Sequence, residues 1–299
     1  VAKAYIIYRN ERAKARDFKY NKEFYTTVLE LLNGKKNDVS KENANKDPRQ
    51  FFTMRDLVAG ETCKKLYKDF IMDKKLLKLH NKGVVHVHDL DYRAMKAMSN
   101  CCLLNLKDML ENGTCIQGKL IHDIHSLQVA VTVTTQIIAA VGSSQYGGIT
   151  INMSHLSPFV AKSKEKYEKI FSTLNDKDEW VEKFLRKEIV DSMQTFQYQL
   201  NSLTTTNGQS PFITVACNTN DVDDEYKDYT ALLIEEFLKQ RIKGMEGPNG
   251  NNINPSFPKI VYILTENNME KDSKYYYLTD LAAECTSKRM VPDYMSEKL

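Results

Sequence analysis

Strand-length apolar runs separated by a helical pattern restrict what this chain can fold into more than any other feature. Residues 212–217 and 260–264 are short and apolar, and the stretch between them carries apolar positions at helical spacing over 229–242. A helix between two strands returns the chain to start the second strand in the direction of the first. This predicts parallel pairing and an α/β architecture, in which sites gather at the carboxyl ends of the strands. Upstream, Val181, Leu185, Ile189, Met193, Phe196, Leu200 and Leu203 recur every three or four residues and predict a long helix over 178–203. The apolar segment 127–141 is rich in Val, Thr and Ile, so strand and buried helix compete there, and its length favours helix. In Val84-Val85-His86-Val87-His88 the valines at 85 and 87 alternate with the two histidines, which predicts a strand ending at Asp89.

The first third of the chain reads as helical. Residues 1–30 set Val1, Tyr5 and Tyr8 on one stripe with Arg9, Arg12, Lys14 and Arg16 beside it, a surface or linker helix, and 33–50 is a polar loop. Thr53 with Asp56 three residues later fits a capping box, and a second short helix follows Asp73 and stops at Gly83. No internal repeat is present. The 42 Lys and Arg against 39 Asp and Glu give no broad basic field, which argues against nucleic acid or an anionic membrane as partner. The lysines of 162–169 read as a solvated helix face. No apolar run reaches the roughly 18 residues of a membrane span, and the amino terminus lacks a signal-peptide layout. The expectation is a soluble, cytoplasmic protein. Its six cysteines (Cys63, Cys101, Cys102, Cys115, Cys217, Cys285) have no CxxC spacing, so reduced thiols are the default.

Two places concentrate chemistry. His86-Val87-His88-Asp89-Leu90-Asp91-Tyr92 sets two imidazoles and two carboxylates within a few residues. Such a pair of histidines can ligate a metal, bind an anionic substrate, or form a hydrogen-bonded strand terminus. Asn100-Cys101-Cys102 carries vicinal thiols, which are awkward for a structural disulfide, so both are buried hydrophobes or one is reactive. The turns at Gln145-Tyr146-Gly147-Gly148 and Asn207-Gly208-Gln209-Ser210-Pro211-Phe212 offer backbone amides for phosphate, without a nucleotide-binding fingerprint.

With these motifs the sequence resembles the catalytic subunit of the anaerobic, or class III, ribonucleotide reductases. The likeness runs collinearly through Glu42-Asn43-Ala44-Asn45-Lys46-Asp47, Arg55-Asp56-Leu57, the His86–Tyr92 and Asn100-Cys101 segments, and Thr135-Gln136-Ile137-Ile138-Ala139. It continues through Tyr146-Gly147-Gly148, the Asn207–Phe212 turn and Cys285-Thr286-Ser287-Lys288-Arg289-Met290. The resemblance implies an α/β fold, the first half of a ten-stranded α/β barrel of the ribonucleotide reductase and glycyl-radical enzyme type. Residues 1–35 would be a connector helix following an ATP-binding cone missing from this sequence, and 36–299 the truncated half-barrel.

The resemblance further implies reduction of ribonucleoside triphosphates by a glycyl and thiyl radical mechanism, with formate as reductant. A radical S-adenosylmethionine activating enzyme would be a partner, with ATP and deoxynucleotides as effectors, a homodimer as the assembly, and a structural zinc in the full-length enzyme. Cys101 would deliver hydrogen to the sugar. His86 and His88 would position formate or assist proton transfer, and Asn100, Asn207, Gln209 and Ser210 would contact substrate; Gln136 would line an effector site, the alternative for a polar residue on an apolar helix being a buried core hydrogen-bonder. No cofactor is expected on this segment itself. The thiyl-loop cysteine, the zinc cysteines and the radical glycine are absent, so the segment alone is expected to be inactive. Two rival readings are a glycyl-radical enzyme of the pyruvate formate-lyase type and a non-catalytic nucleotide-binding dimerisation module. A third is a metal site on His86, His88 and a nearby carboxylate.

Overall fold

The computed structural model describes residues 2–33, 50–95, 101–144, 147–206 and 208–298. The chain divides into two compact units, Val1–Met98 with Thr206–Gln209, and Ser99–Thr205 with Ser210–Leu299.

The first unit is helical. Helix α1 (Ala2–Leu32) leaves Tyr5, Ile6, Ile7, Tyr8, Tyr25 and Leu29 exposed. Helix α2 (Phe51–Leu66) runs into a π-helical turn at Tyr67–Ile71. The capping box expected at Thr53 and Asp56 does not form, because the helix starts three residues earlier, with Gln50 at the cap position. Thr53 lies in the first turn instead, buried, with its hydroxyl donating to the Gly208 carbonyl at 3.4 Å. Helix α3 (Lys74–Asn81) begins as the sequence predicts, with Asp73 Oδ1 accepting from the amides of Lys75 at 2.9 Å and Leu76 at 3.1 Å. These bonds satisfy two amides that the first helical turn otherwise leaves unpaired. The predicted strand over 84–88 is absent. That segment is irregular, with Val84 67% exposed, and leads into the short helix α4 (Leu90–Arg93).

The second unit is the expected α/β layer. Strand β1 (Cys101–Leu103) is followed by α5 (Leu106–Glu111), the hairpin β2 (Thr114–Ile116) and β3 (Lys119–Ile121), and α6 (Leu127–Ser144). Then come β4 (Gly148–Asn152), α7 (Ser157–Ile170), α8 (Lys177–Ser202), β5 (Ile213–Cys217) and α9 (Lys227–Lys243). The two-residue strands β6 (Met245–Glu246) and β7 (Asn252–Ile253) precede β8 (Lys259–Leu264), α10 (Glu266–Met269), α11 (Tyr276–Arg289) and β9 (Asp293–Ser296). Five strands form one sheet in the order β1-β4-β5-β8-β9, every pair parallel. The two predicted strands β5 and β8 are parallel neighbours, with Val215 beside Ile260.

One face of this sheet is the core. Ile149, Ile151, Ile213, Val215, Cys217, Ile260 and Tyr262 are essentially inaccessible and join a cluster with Leu127, Val131, Phe159, Met193, Phe196 and Phe237 from the helices. Each aliphatic or phenylalanine side chain among them contributes about 1.5–3 kcal/mol on burial. Helix α6 is long and apolar enough to cross a membrane by length and composition, yet its buried stripe, Ala130, Val131, Thr134, Ile137 and Ile138, packs into this core. Its first turn is capped from neighbouring helices. Leu127 N donates to Ser163 Oγ at 2.8 Å and Gln128 N to Glu188 Oε1 at 3.2 Å. Glu188, itself buried, also accepts from Ser163 Oγ at 2.9 Å and Lys166 Nζ at 2.7 Å. Burial alone would raise its carboxyl, but the bonds from Lys166, Tyr167, Ser163 and Gln128 outweigh burial and hold it below its ordinary value.

Candidate active site

Side chains alternate across a strand, so register assigns each residue of the sheet to a face. Cys102 pairs with Ile149 and belongs to the helix-covered side, whereas Cys101 pairs with Gly148 and belongs to the other. The open face carries Cys101 and Leu103 from β1, Gly148, Thr150 and Asn152 from β4, and Thr214 and Ala216 from β5. Lys259 and Val261 of β8 and Asp293 of β9 extend it. Cys101 is exposed, and Cys102 is half-buried against the core. Burial pushes the Cys102 thiol up, and the neighbouring Cys101 adds to this. A thiol kept protonated among apolar groups is inert, so the two adjacent cysteines differ in chemistry as well as direction.

Cys101 sits at the amino end of β1, not at the carboxyl ends where the α/β pattern predicts a site. A carbon placed at the missing Cβ of Gly148 would lie 3.5 Å from Cys101 Sγ and 3.5 Å from Phe212 Cδ1. Phe212 immediately precedes β5, and its carbonyl accepts from Ile149 N at 2.9 Å. The glycine therefore leaves space between the sulfur and an aromatic ring.

The carboxyl ends hold a different polar group. Asn152 Nδ2 donates to Asp221 Oδ2, Ser154 Oγ donates to the Asp221 carbonyl at 3.0 Å, and His155 Nε2 lies 3.9 Å from Asp221 Oδ2. Burial pulls His155 below its usual range, with Asp221 opposing the shift. Farther along, the ends of β8 and β9 border a cavity of about 410 Å³ lined by Thr265, Glu266, Met269, Ser296, Glu297 and Lys298 among others. None of the residues predicted from sequence lines it.

The remaining predicted residues belong partly to the first unit and partly to the second. Asn100 and Asn207 lie outside the described residues. Gln209 is half-buried in the first unit, next to Gly208, whose φ of +74° and closeness to the Phe52 ring exclude any side chain. Ser210 is half-buried in the second unit. His86 and His88 belong to the first unit and are exposed, on irregular backbone. His88 Nδ1 is 2.5 Å from Asp89 Oδ2, and the His86 ring lies 5.6 Å from that of His80, whose Nδ1 accepts from Val87 N at 3.2 Å. Among the described residues, no three His, Cys, Asp or Glu side chains converge as a metal site. Gln136 is exposed on α6, because the buried stripe of that helix passes through Thr134, Thr135, Ile137 and Ile138. The sequence reading missed Thr150, Thr214 and Lys259. Their signal was the alternation with Ile149, Ile151, Ile213, Val215 and Ile260.

Residues 42–299 match the protein family described as anaerobic ribonucleoside-triphosphate reductase. The chain belongs to that family. It is 38% identical over 280 residues to the anaerobic ribonucleoside-triphosphate reductase of Enterobacteria phage T4, covering 90% of this chain and 44% of that protein. To the Haemophilus influenzae reductase it is 37% identical over 303 residues, covering 99% of this chain and 41% of that protein. The chain thus spans well under half the length of these curated relatives. Its fold is similar to the anaerobic ribonucleotide reductase of Thermotoga maritima with citrate in the active site, at a TM-score of 0.58 and 14% identity, covering 97% of this chain and 54% of that one. A second Thermotoga maritima structure, in complex with dATP and CTP, gives a TM-score of 0.55 at 16% identity, covering 83% of this chain and 42% of that one. The parallel sheet with helices on one face is consistent with half of the α/β barrel of the anaerobic ribonucleotide reductases.

Proposed function

We propose that this chain forms the front half of an enzyme reducing ribonucleoside triphosphates to deoxyribonucleoside triphosphates, and that Cys101 is the thiol that delivers hydrogen to the sugar as the 2′ hydroxyl leaves as water. The observation that carries this is the opposite facing of two adjacent cysteines, Cys102 toward the core and Cys101 exposed on the open face. An S–H bond is weak enough to exchange hydrogen with a carbon radical, which an ordinary acid cannot do. A glycyl radical, installed by a radical S-adenosylmethionine activating enzyme, supplies the one-electron chemistry in the whole cytoplasmic enzyme. This chain's residues hold and orient the sugar. Asn100, Asn207, Gln209 and Ser210 are assigned to substrate contacts, and His86 and His88 to formate or proton transfer. The His88–Asp89 contact supports that last role, since a carboxylate beside the imidazole orients the ring.

Gln136 is assigned to an effector-binding dimer interface. Its exposure, with that of Gln128 and Val129 on the same helix, supports the reading. In an enzyme carrying this segment together with the remainder its longer relatives possess, Cys101→Ser should abolish deoxynucleotide formation in an anaerobic assay with activating enzyme and formate. An active Cys101→Ser enzyme would move the role elsewhere.

A further inference from the structure

We propose that Gly148 and Phe212 are positioning residues for the Cys101 thiol, an inference that rests on reading Cys101 as the hydrogen donor. Residue 148 has no side chain where one would stand, at ordinary contact distance, between the sulfur and the Phe212 ring edge. This space borders the sulfur on one side and the Phe212 ring on the other, and in the proposal it is the approach to the sulfur, with the ring as its wall. Phe212 is 41% exposed yet held on three sides. Its backbone is bonded to Ile149 N, its ring lies 4.7 Å from the Phe257 ring, and the Lys259 ammonium lies 5.3 Å from its centroid.

Phe257 is fixed in turn from beneath. Arg241, 1% exposed on α9, donates through Nη1 to the Pro255 carbonyl at 2.5 Å and through Nη2 to the Pro258 carbonyl. Both terminal nitrogens of this buried guanidinium are held by loop carbonyls, and its Nε has no partner, so the two bonds pin the loop that carries the ring. A line of contacts thus runs from the core through Phe257 and Phe212 to the space beside Cys101, all within the second unit. A nucleotide approaching the sulfur would meet the Phe212 ring at a fixed position, so the wall sets the direction from which the S–H bond is reached.

The experiment measures alkylation of each cysteine by iodoacetamide in the 299-residue chain, read by peptide mass spectrometry, for Gly148→Ala and Phe212→Ala. Access controls the rate, so Gly148→Ala should slow Cys101 about five-fold and Phe212→Ala should speed it about three-fold, with Cys102, Cys217 and Cys285 unchanged. A merely structural role would move all the cysteines upward together in both variants. That result, or Cys101 rates unaltered in both, overturns the proposal. Arg241→Met gives a separate check, since releasing the loop should speed Cys101 in the direction of Phe212→Ala. If these shifts appear while a Cys101→Ser enzyme still reduces nucleotide, the positioning stands and the chemical reading of Cys101 falls.

Discussion

The two faces of the parallel sheet are made from the same strands and differ in almost everything else. On β4 and β5 the covered face shows Ile149, Ile151, Ile213, Val215 and Cys217, all 1% exposed or less, and the open face shows Thr150, Asn152, Thr214 and Ala216. A parallel sheet buried on both faces reads as unbroken apolar runs. Alternation of aliphatic with small or hydroxylated residues instead marks a face that meets something other than a helix. The comparison shows that chemistry in this unit is set by parity along the strand, so that Cys101 and Cys102 serve opposite purposes.

The largest test of that contrast is in stability. Ile213→Ala should cost about 2–5 kcal/mol in urea unfolding, because it empties a site between sheet and helices. Thr214→Ala, one residue away, should stay within about 0.5 kcal/mol. Equal losses at both positions would remove the distinction between the faces. Glu188→Gln should cost about 1–3 kcal/mol at neutral pH, since Lys166 and the first turn of α6 lose a charged acceptor. The folded carboxyl lies below its ordinary value of 4.5, so its stabilisation is complete above that value and is lost as pH falls through the depressed one. The gap between wild type and Glu188→Gln should therefore narrow in acid, and one that persists undiminished would show that the charge is not responsible.

Smaller still is Cys102→Ser, expected to cost about 1 kcal/mol by placing a hydroxyl against the core. Cys101→Ser should lie within about 0.5 kcal/mol of wild type in the same melts, with reduction, not folding, as its readout. A larger stability loss at 101 than at 102 would invert the assignment of faces.

Much of this arrangement was legible in the sequence because β5, α8, α9 and β8 have strong periodicity and pack on one core. The family resemblance was legible through motifs in order. What failed did so for physical reasons. The valines at 84, 85 and 87 have strand propensity, but propensity reflects packing of the side chains, and Val84 is left 67% exposed. The edge position belongs to Cys101–Leu103, three residues too short to display a period. Thr53 carried a capping signature, yet the helix began upstream and its hydroxyl went to Gly208. Burial of Gln136 does not follow from the apolar character of its helix, because α6 has one wet stripe, through Gln128, Val129 and Gln136.

The alternation that separates the two thiols also has a bearing on how a misfolded edge would behave. Strand β1 is short and lies at the margin of the sheet, where pairing is easiest to shift. Sliding it by one residue against β4 would bring Cys102 opposite Gly148 and turn its sulfur outward. Because the two cysteines are consecutive, either alignment of this strand leaves a sulfur on the open face, so the vicinal pair makes the presence of a thiol there tolerant of the slip to which the strand is most prone.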